Sequence, residues 1–173
     1  MAIAGVDLEL RDGNGRTPFL IAAYRGHVHV MEKLAGAGAN VNALDNQSYD
    51  AVTISAVAND LRTLEAALKL GNKAGNITSP YKGTALIAAA HLGHAEVVGM
   101  LIKAGAPLDH VNNLGWTALI EAVVLGDGGS RHQATVGALV NAGADRSIAD
   151  NNGFTPLQLA EERGYDEIAA LLR

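Results

Sequence analysis

Apolar residues recur along this chain in two alternating designs, both at helical spacing. The first is a short, dense run rich in alanine: Phe19-Leu20-Ile21-Ala22-Ala23, Leu86-Ile87-Ala88-Ala89-Ala90, Leu119-Ile120 with Ala122-Val123, and Leu157 with Leu159-Ala160. The second is a sparser stripe: Val30, Met31 and Leu34; Val97, Val98, Leu101 and Ile102; Val136, Leu139 and Val140; Ile168, Leu171 and Leu172. Intervals of three and four place such side chains on one face of a helix. Gly26, Gly93, Gly126 and Gly164 follow the dense runs, and Gly38, Gly105 and Gly143 follow the stripes. Glycine suits the positive φ that commonly ends a helix. The pattern predicts pairs of short helices. Stretches such as Asn40-Val41-Asn42 and Pro107-Leu108-Asp109 then run out to a turn and return to the next pair.

The starts of the dense runs keep time. Thr17 and Thr155 are suited to cap a helix, and Pro18 and Pro156 fall at the first helical position, where a missing N–H costs nothing. Thr84 and Thr117 stand in the same place 33 residues apart, as do Asp12 and Asp45. Thr117 to Thr155 is 38, one period with five residues inserted, and Thr17 to Thr84 is 67, two periods and one residue. Gly38-Ala39, Gly105-Ala106 and Gly143-Ala144 hold the same phase, with Gly71 at the matching place in the second copy.

With its period near 33 and Thr-Pro-Phe-Leu-Ile-Ala core, the chain resembles the ankyrin repeat family, and the resemblance covers nearly all of it. It implies an all-α solenoid of stacked helix-turn-helix units with β-hairpin-like fingers, in which neighbours bury faces that no unit buries alone. Residues 1–173 are then one domain. Residues 1–11 are a partial repeat tail, 12–44 the first repeat, 45–78 an eroded second, 79–111 the third, 112–149 the fourth, and 150–173 a C-terminal capping repeat.

The departures carry their own expectations. In the second repeat Ser48 replaces a turn glycine, Asp50 the threonine, Ala51 the proline, and Asn59-Asp60 the Gly-His pair. Asp50 still caps a helix, and Leu61, Leu64 and Leu68 keep an apolar face. The segment Asn76 to Gly83 holds the extra residue and is expected to form an altered finger. The insertion near 127–132, within Gly126-Asp127-Gly128-Gly129-Ser130-Arg131-His132, is expected to be a mobile surface loop. A first repeat without leading helices would expose its stacking face, and self-association through it is expected.

Composition narrows the chemistry. Aromatics are 4% of a chain that is 49% hydrophobic, so the core consists mostly of small and aliphatic residues that let helices approach closely. The 13 Lys and Arg are scattered and the net charge is −5, which leaves no basic stripe for nucleic acid. No apolar run approaches the roughly 20 residues that span a bilayer, and the N-terminus lacks the pattern of a signal peptide. The sequence favours a soluble chain with no membrane partner and leaves its compartment open. Without cysteine there is no disulfide, thiolate metal site or thiol nucleophile.

Candidate catalytic sets also fail. His27 and His94 fill the family's Gly-His position, a structural one, while His110 and His132 fall in a finger and a loop as contact candidates. Asp12-Gly13-Asn14-Gly15 and Asp150-Asn151-Asn152-Gly153 suit turns better than calcium loops, because the closing acid is missing. No nucleophile, base and orienter come together. The expectation is a non-enzyme with no cofactor and no metal.

The resemblance implies a concave surface made by fingers and first helices. Its variable positions map here to Arg16, Tyr24, Arg25, Tyr49, Tyr81, His91, Leu114, Trp116, Leu125 and Phe154. Five of the seven aromatic residues fall in that set, and tyrosine and tryptophan are favoured at binding hot spots. The expected function is a protein-interaction module for an unidentified protein. An engineered or reconstructed scaffold without a selected partner is the alternative, and an enzyme or small-molecule binder stands behind both.

Overall fold

The computed structural model describes residues 7–173 and contains ten α-helices among them. They are α1 (Pro18–Tyr24), α2 (Val28–Gly36), α3 (Ala51–Val57), α4 (Leu61–Lys69), α5 (Ala85–His91), α6 (Ala95–Lys103), α7 (Ala118–Val124), α8 (Ser130–Asn141), α9 (Pro156–Glu162) and α10 (Asp166–Leu172). Odd and even helices pair, and the pairs stack. The odd helices form one row, each packed on the next, and the even helices form the other. Most of the partial tail expected at 1–11 lies in residues 1–6, outside the described residues.

Every helix of the first row is seven residues long and starts on a side-chain cap. The oxygens of Thr17, Asp50, Thr84, Thr117 and Thr155 each accept the backbone N–H three residues on. Thr155 adds a reciprocal bond, its own N–H donating to Gln158 Oε1 at 2.9 Å. Ala22, Ala89, Ala90, Ala118, Ala122 and Ala160 are buried along this row, so the backbones lie close. Leu20, Leu86 and Leu119 fill the spaces between, and Met31, Leu64, Leu101, Leu139 and Ile168 are the buried anchors of the second row. Val30 and Leu171, placed on apolar stripes by their spacing, are instead exposed at the edge of those stripes.

The fingers are closed turns. Among the described residues there is no strand, only an isolated bridge between Thr78 and Gly83. In four of the five fingers the reason lies in one side chain. Oδ1 of Asp12, Asp45, Asn112 and Asp150 accepts the N–H groups of the residues two and four further on. Those donors are then not available to a ladder. Successive fingers are stitched by single backbone bonds, Asn46 to Asn14, Ser79 to Ser48 and Asn113 to Tyr81, each at 3.0–3.1 Å.

The second pair persists as its apolar spacing predicts, with backbone strain where glycines are missing. Ser48 has φ of 58° and Asn59 of 54°, at turns where the first pair uses Gly15 and Gly26. The left-handed region costs a side chain about 1–2 kcal/mol, with asparagine the better tolerated. Ser48→Gly is therefore expected to stabilise the chain by about 0.5–1 kcal/mol after the added backbone entropy is deducted, read as a shift of the urea midpoint. An unchanged or lowered midpoint would refute the strain. The altered finger also forms: Thr78 N–H bonds to Gly83 O at 2.8 Å, one residue wider than the other fingers, with Ser79 and Lys82 at positive φ.

The insertion departs from the expected mobile loop. Its last part, Ser130-Arg131-His132, forms the first turn of α8, which reaches 12 residues where α2, α4 and α6 have nine. Gly126 lacks a positive φ, and Gly128 takes that role at 71°. Gly128 lies against the Tyr165 ring, where an added methyl carbon would come within 2.5 Å, and Tyr165 Oη donates to Gly126 O at 3.1 Å. His132, expected in the loop as a contact candidate, is buried instead. Its ring nitrogens face the Asp127 carboxylate at 2.8 Å and the His91 carbonyl at 3.0 Å. Two tertiary hydrogen bonds, to the His91 carbonyl and from the Tyr165 hydroxyl, tie this segment to its neighbours.

Candidate functional site

The fingers and the first-row helices enclose a cleft of about 500 Å³ in the middle of the chain. Tyr49, Tyr81, Leu114 and Trp116 reach it from three successive fingers. Ile87, Ala88 and His91 come from α5, Glu121 from α7, and Leu125 from the end of α7. Tyr81, Leu114, His91 and Leu125 are exposed at its mouth, while Ile87 and Glu121 are buried at its base.

Glu121 is the unusual member. It occupies the fifth place of its run, counted from the capping Thr117. The matching places elsewhere hold Ile21, Ile54, Ala88 and Leu159. Its side chain is only 7% exposed. One oxygen, Oε1, accepts a hydrogen bond from Asn112 Nδ2 at 2.8 Å. The other, Oε2, has the His91 ring 3.5 Å away and no hydrogen bond of its own among the described residues. Burial in this apolar surrounding pushes the carboxyl up to about 7, against the smaller opposing effect of the Asn112 bond. Burial, and then the neighbouring His132, hold the His91 ring below the ordinary histidine range.

Asn112 connects the carboxylate to the finger. Its Oδ1 accepts from Leu114 and Trp116 N–H at 2.9 and 3.1 Å, as the aspartates of the other fingers do. Only an amide can also donate, and its Nδ2 meets Glu121. An aspartate here would face Glu121 with like charge. The Asn112–Glu121 pair thus fixes the loop that carries Trp116.

Two similarity findings concern most of the chain. The family described as "Ankyrin repeats (3 copies)" matches residues 54–145, and "Ankyrin repeat" matches residues 14–46. The putative ankyrin repeat protein YahD of Escherichia coli (strain K12) is 36% identical over 169 residues, covering 97% of this chain and 84% of that protein. The chain belongs to the ankyrin repeat family. Solved structures of the family superpose closely. An ankyrin repeat domain from Acinetobacter baumannii AYE has a TM-score of 0.89 at 44% identity, covering 96% of this chain and 85% of its own. The ankyrin repeat protein EF0377 gives 0.90 at 34% identity, covering 97% and 85%.

Ankyrin repeats are generally protein–protein interaction modules, and the family and its fold are typically non-enzymatic. In this ankyrin chain six of the ten sequence-derived candidates meet in the cleft: Tyr49, Tyr81, His91, Leu114, Trp116 and Leu125. The other four lie elsewhere. Arg16 stacks its guanidinium 4.0 Å over the Tyr24 ring, and Tyr24 Oη donates to Asp45 Oδ2 at 2.8 Å. Burial and then the Asp45 carboxylate push the Tyr24 hydroxyl up to about 12. Arg25 is the exposed C-cap of α1, and Phe154 is exposed on the last finger. Glu121 and Asn112 were not among the candidates.

The histidines serve the stack. His94 Nδ1 lies 3.0 Å from Ala56 O, near the end of the preceding first-row helix, and His132 reaches His91 O in the same sense. His110 Nε2 lies 2.7 Å from Lys82 O in the neighbouring finger. Among the described residues no first-row helix precedes α1, and His27 is exposed. Among the described residues no three His, Asp or Glu side chains are grouped to hold a metal ion, and no helix is long and apolar enough to cross a membrane.

Proposed function

We propose that this ankyrin chain is a protein-binding module whose partner lies along the fingers and first-row helices, centred on the cleft beside Trp116. The observation that carries this is the convergence of two tyrosines, a tryptophan and two leucines from three successive repeats on one cavity. Aromatic side chains that line a partly open cavity offer large area for few rotors, which is what a hot spot requires. Among the described residues the cleft lining brings no hydroxyl, base and orienter into hydrogen-bond sequence.

Capture of partners from a proteome, with wild type and Trp116→Ala in parallel, tests this reading. A partner verified with purified components is expected to lose at least tenfold in affinity with Trp116→Ala, a typical hot-spot effect of about 2 kcal/mol, and to tolerate Val30→Ala on the far row. Equal affinity for both variants would move the site away from the cleft.

A further inference from the structure

We infer that the cleft receives an arginine side chain from the partner, its guanidinium lying against the aromatic walls and pairing with Oε2 of Glu121. This rests on the protein-binding reading above and specifies its central contact. Glu121 is 7% exposed, is aimed into the cleft and has one oxygen committed to Asn112. The second oxygen is left without a donor of hydrogen-bond strength among the described residues. No lysine or arginine lines the cavity. A carboxylate in an apolar site is costly unless a cation meets it, so the missing component is a positive charge.

The walls favour a planar cation. Guanidinium stacks on aromatic faces and offers forked donors to a carboxylate, whereas an ammonium is a compact, strongly hydrated point charge. The chain displays the stacking part of this recognition in its first repeat. There its own Arg16 lies over Tyr24, whose hydroxyl is held by Asp45. In the cleft the aromatic rings and the acid recur, but the lining holds no lysine or arginine, and the His91 ring beside Glu121 is held below the ordinary histidine range. About 500 Å³ is ample for one such side chain entering from an extended segment. The net charge of −5 favours the approach of a basic segment.

The only tryptophan of the chain lines the cleft, so its indole N–H resonance reports on this site alone. The full chain at pH 8 is titrated with three blocked tripeptides, Ala-Arg-Ala, Ala-citrulline-Ala and Ala-Glu-Ala. The arginine peptide is expected to move the Trp116 signal saturably, with the near-isosteric citrulline peptide at least tenfold weaker and the acidic peptide without effect. Glu121→Gln keeps the shape and is expected to lose at least tenfold in arginine-peptide affinity. Tyr81→Leu, at a side chain 57% exposed and so free of folding consequences, is expected to weaken it several-fold. Equal binding of citrulline and arginine, no response to arginine, or full affinity in Glu121→Gln each overturns the inference. Failure of the tripeptides while Trp116→Ala still releases a verified partner would remove the arginine contact alone. Retention of that partner by Trp116→Ala would remove the wider reading with it.

Discussion

Glu121→Leu is expected to stabilise the chain by about 2 kcal/mol at pH 8 and to destabilise it by about 1 kcal/mol at pH 4. The carboxyl rises from an ordinary 4.5 to about 7 in the folded state because burial penalises its charge. Between those values the folded chain binds the proton more tightly than the unfolded chain. Wild-type stability from this group is therefore complete below about 4.5 and lost as pH rises through 7, a difference of about 3 kcal/mol. Leucine, which the fifth repeat already carries as buried Leu159, has no such dependence. It leaves Asn112 Nδ2 without its acceptor, which takes back about 1 kcal/mol. His91, which faces Glu121 from α5, and His132 and Asp127 behind it are present in both proteins, so the difference between the two urea midpoints reads the loss of the carboxyl at residue 121 together with its effect on His91. Midpoint differences that are equal at pH 4 and pH 8 would refute the buried-charge account. A residue that lowers stability where four sibling positions are apolar is the pattern of a functional position.

What could be foreseen followed the range of the forces involved. Capping is local, and Thr17, Asp50, Thr84, Thr117 and Thr155 could be recognised from the residues beside them. Helical periodicity carried the second pair even where its turn glycines are replaced by Ser48 and Asn59. The aromatic members of the cleft were legible because Tyr49 and Trp116 stand immediately before the caps Asp50 and Thr117, at the finger ends the repeat makes variable. The first turn of α8 was not legible. Ser130-Arg131-His132 has no apolar spacing, and His132 is placed by the His91 carbonyl 41 residues away. Glu121 was hidden for a related reason. An acid within a helix suggests an exposed face, and its burial depends on Asn112 and on α5. The available clue was a double substitution: glutamate where the siblings carry Ile21, Ile54, Ala88 and Leu159, and asparagine where three other fingers carry Asp12, Asp45 and Asp150.

Leu86→Ala is expected to remove about 3 kcal/mol and to break the unfolding transition into parts. Leu86 is fully buried in α5, which packs on α3 before it, α7 after it and α6 beside it. Truncating such a leucine removes its burial and leaves a cavity, together about 2–5 kcal/mol. In a globular core that loss would lower one transition as a whole. In a stack whose units touch only their neighbours, stability is a sum of unit and interface terms, so a lesion at the centre weakens the couplings on both sides. The pairs α1–α4 and α7–α10 then melt on their own terms. Trp116 fluorescence reports the C-terminal part, and far-ultraviolet circular dichroism reports all helices. The two urea curves are expected to coincide in wild type and to separate in Leu86→Ala, while Val30→Ala, at an exposed site on α2, stays within about 0.5 kcal/mol of wild type. Coincident curves in Leu86→Ala with a loss below about 1 kcal/mol would show that the stack does not depend on contacts between neighbours at α5.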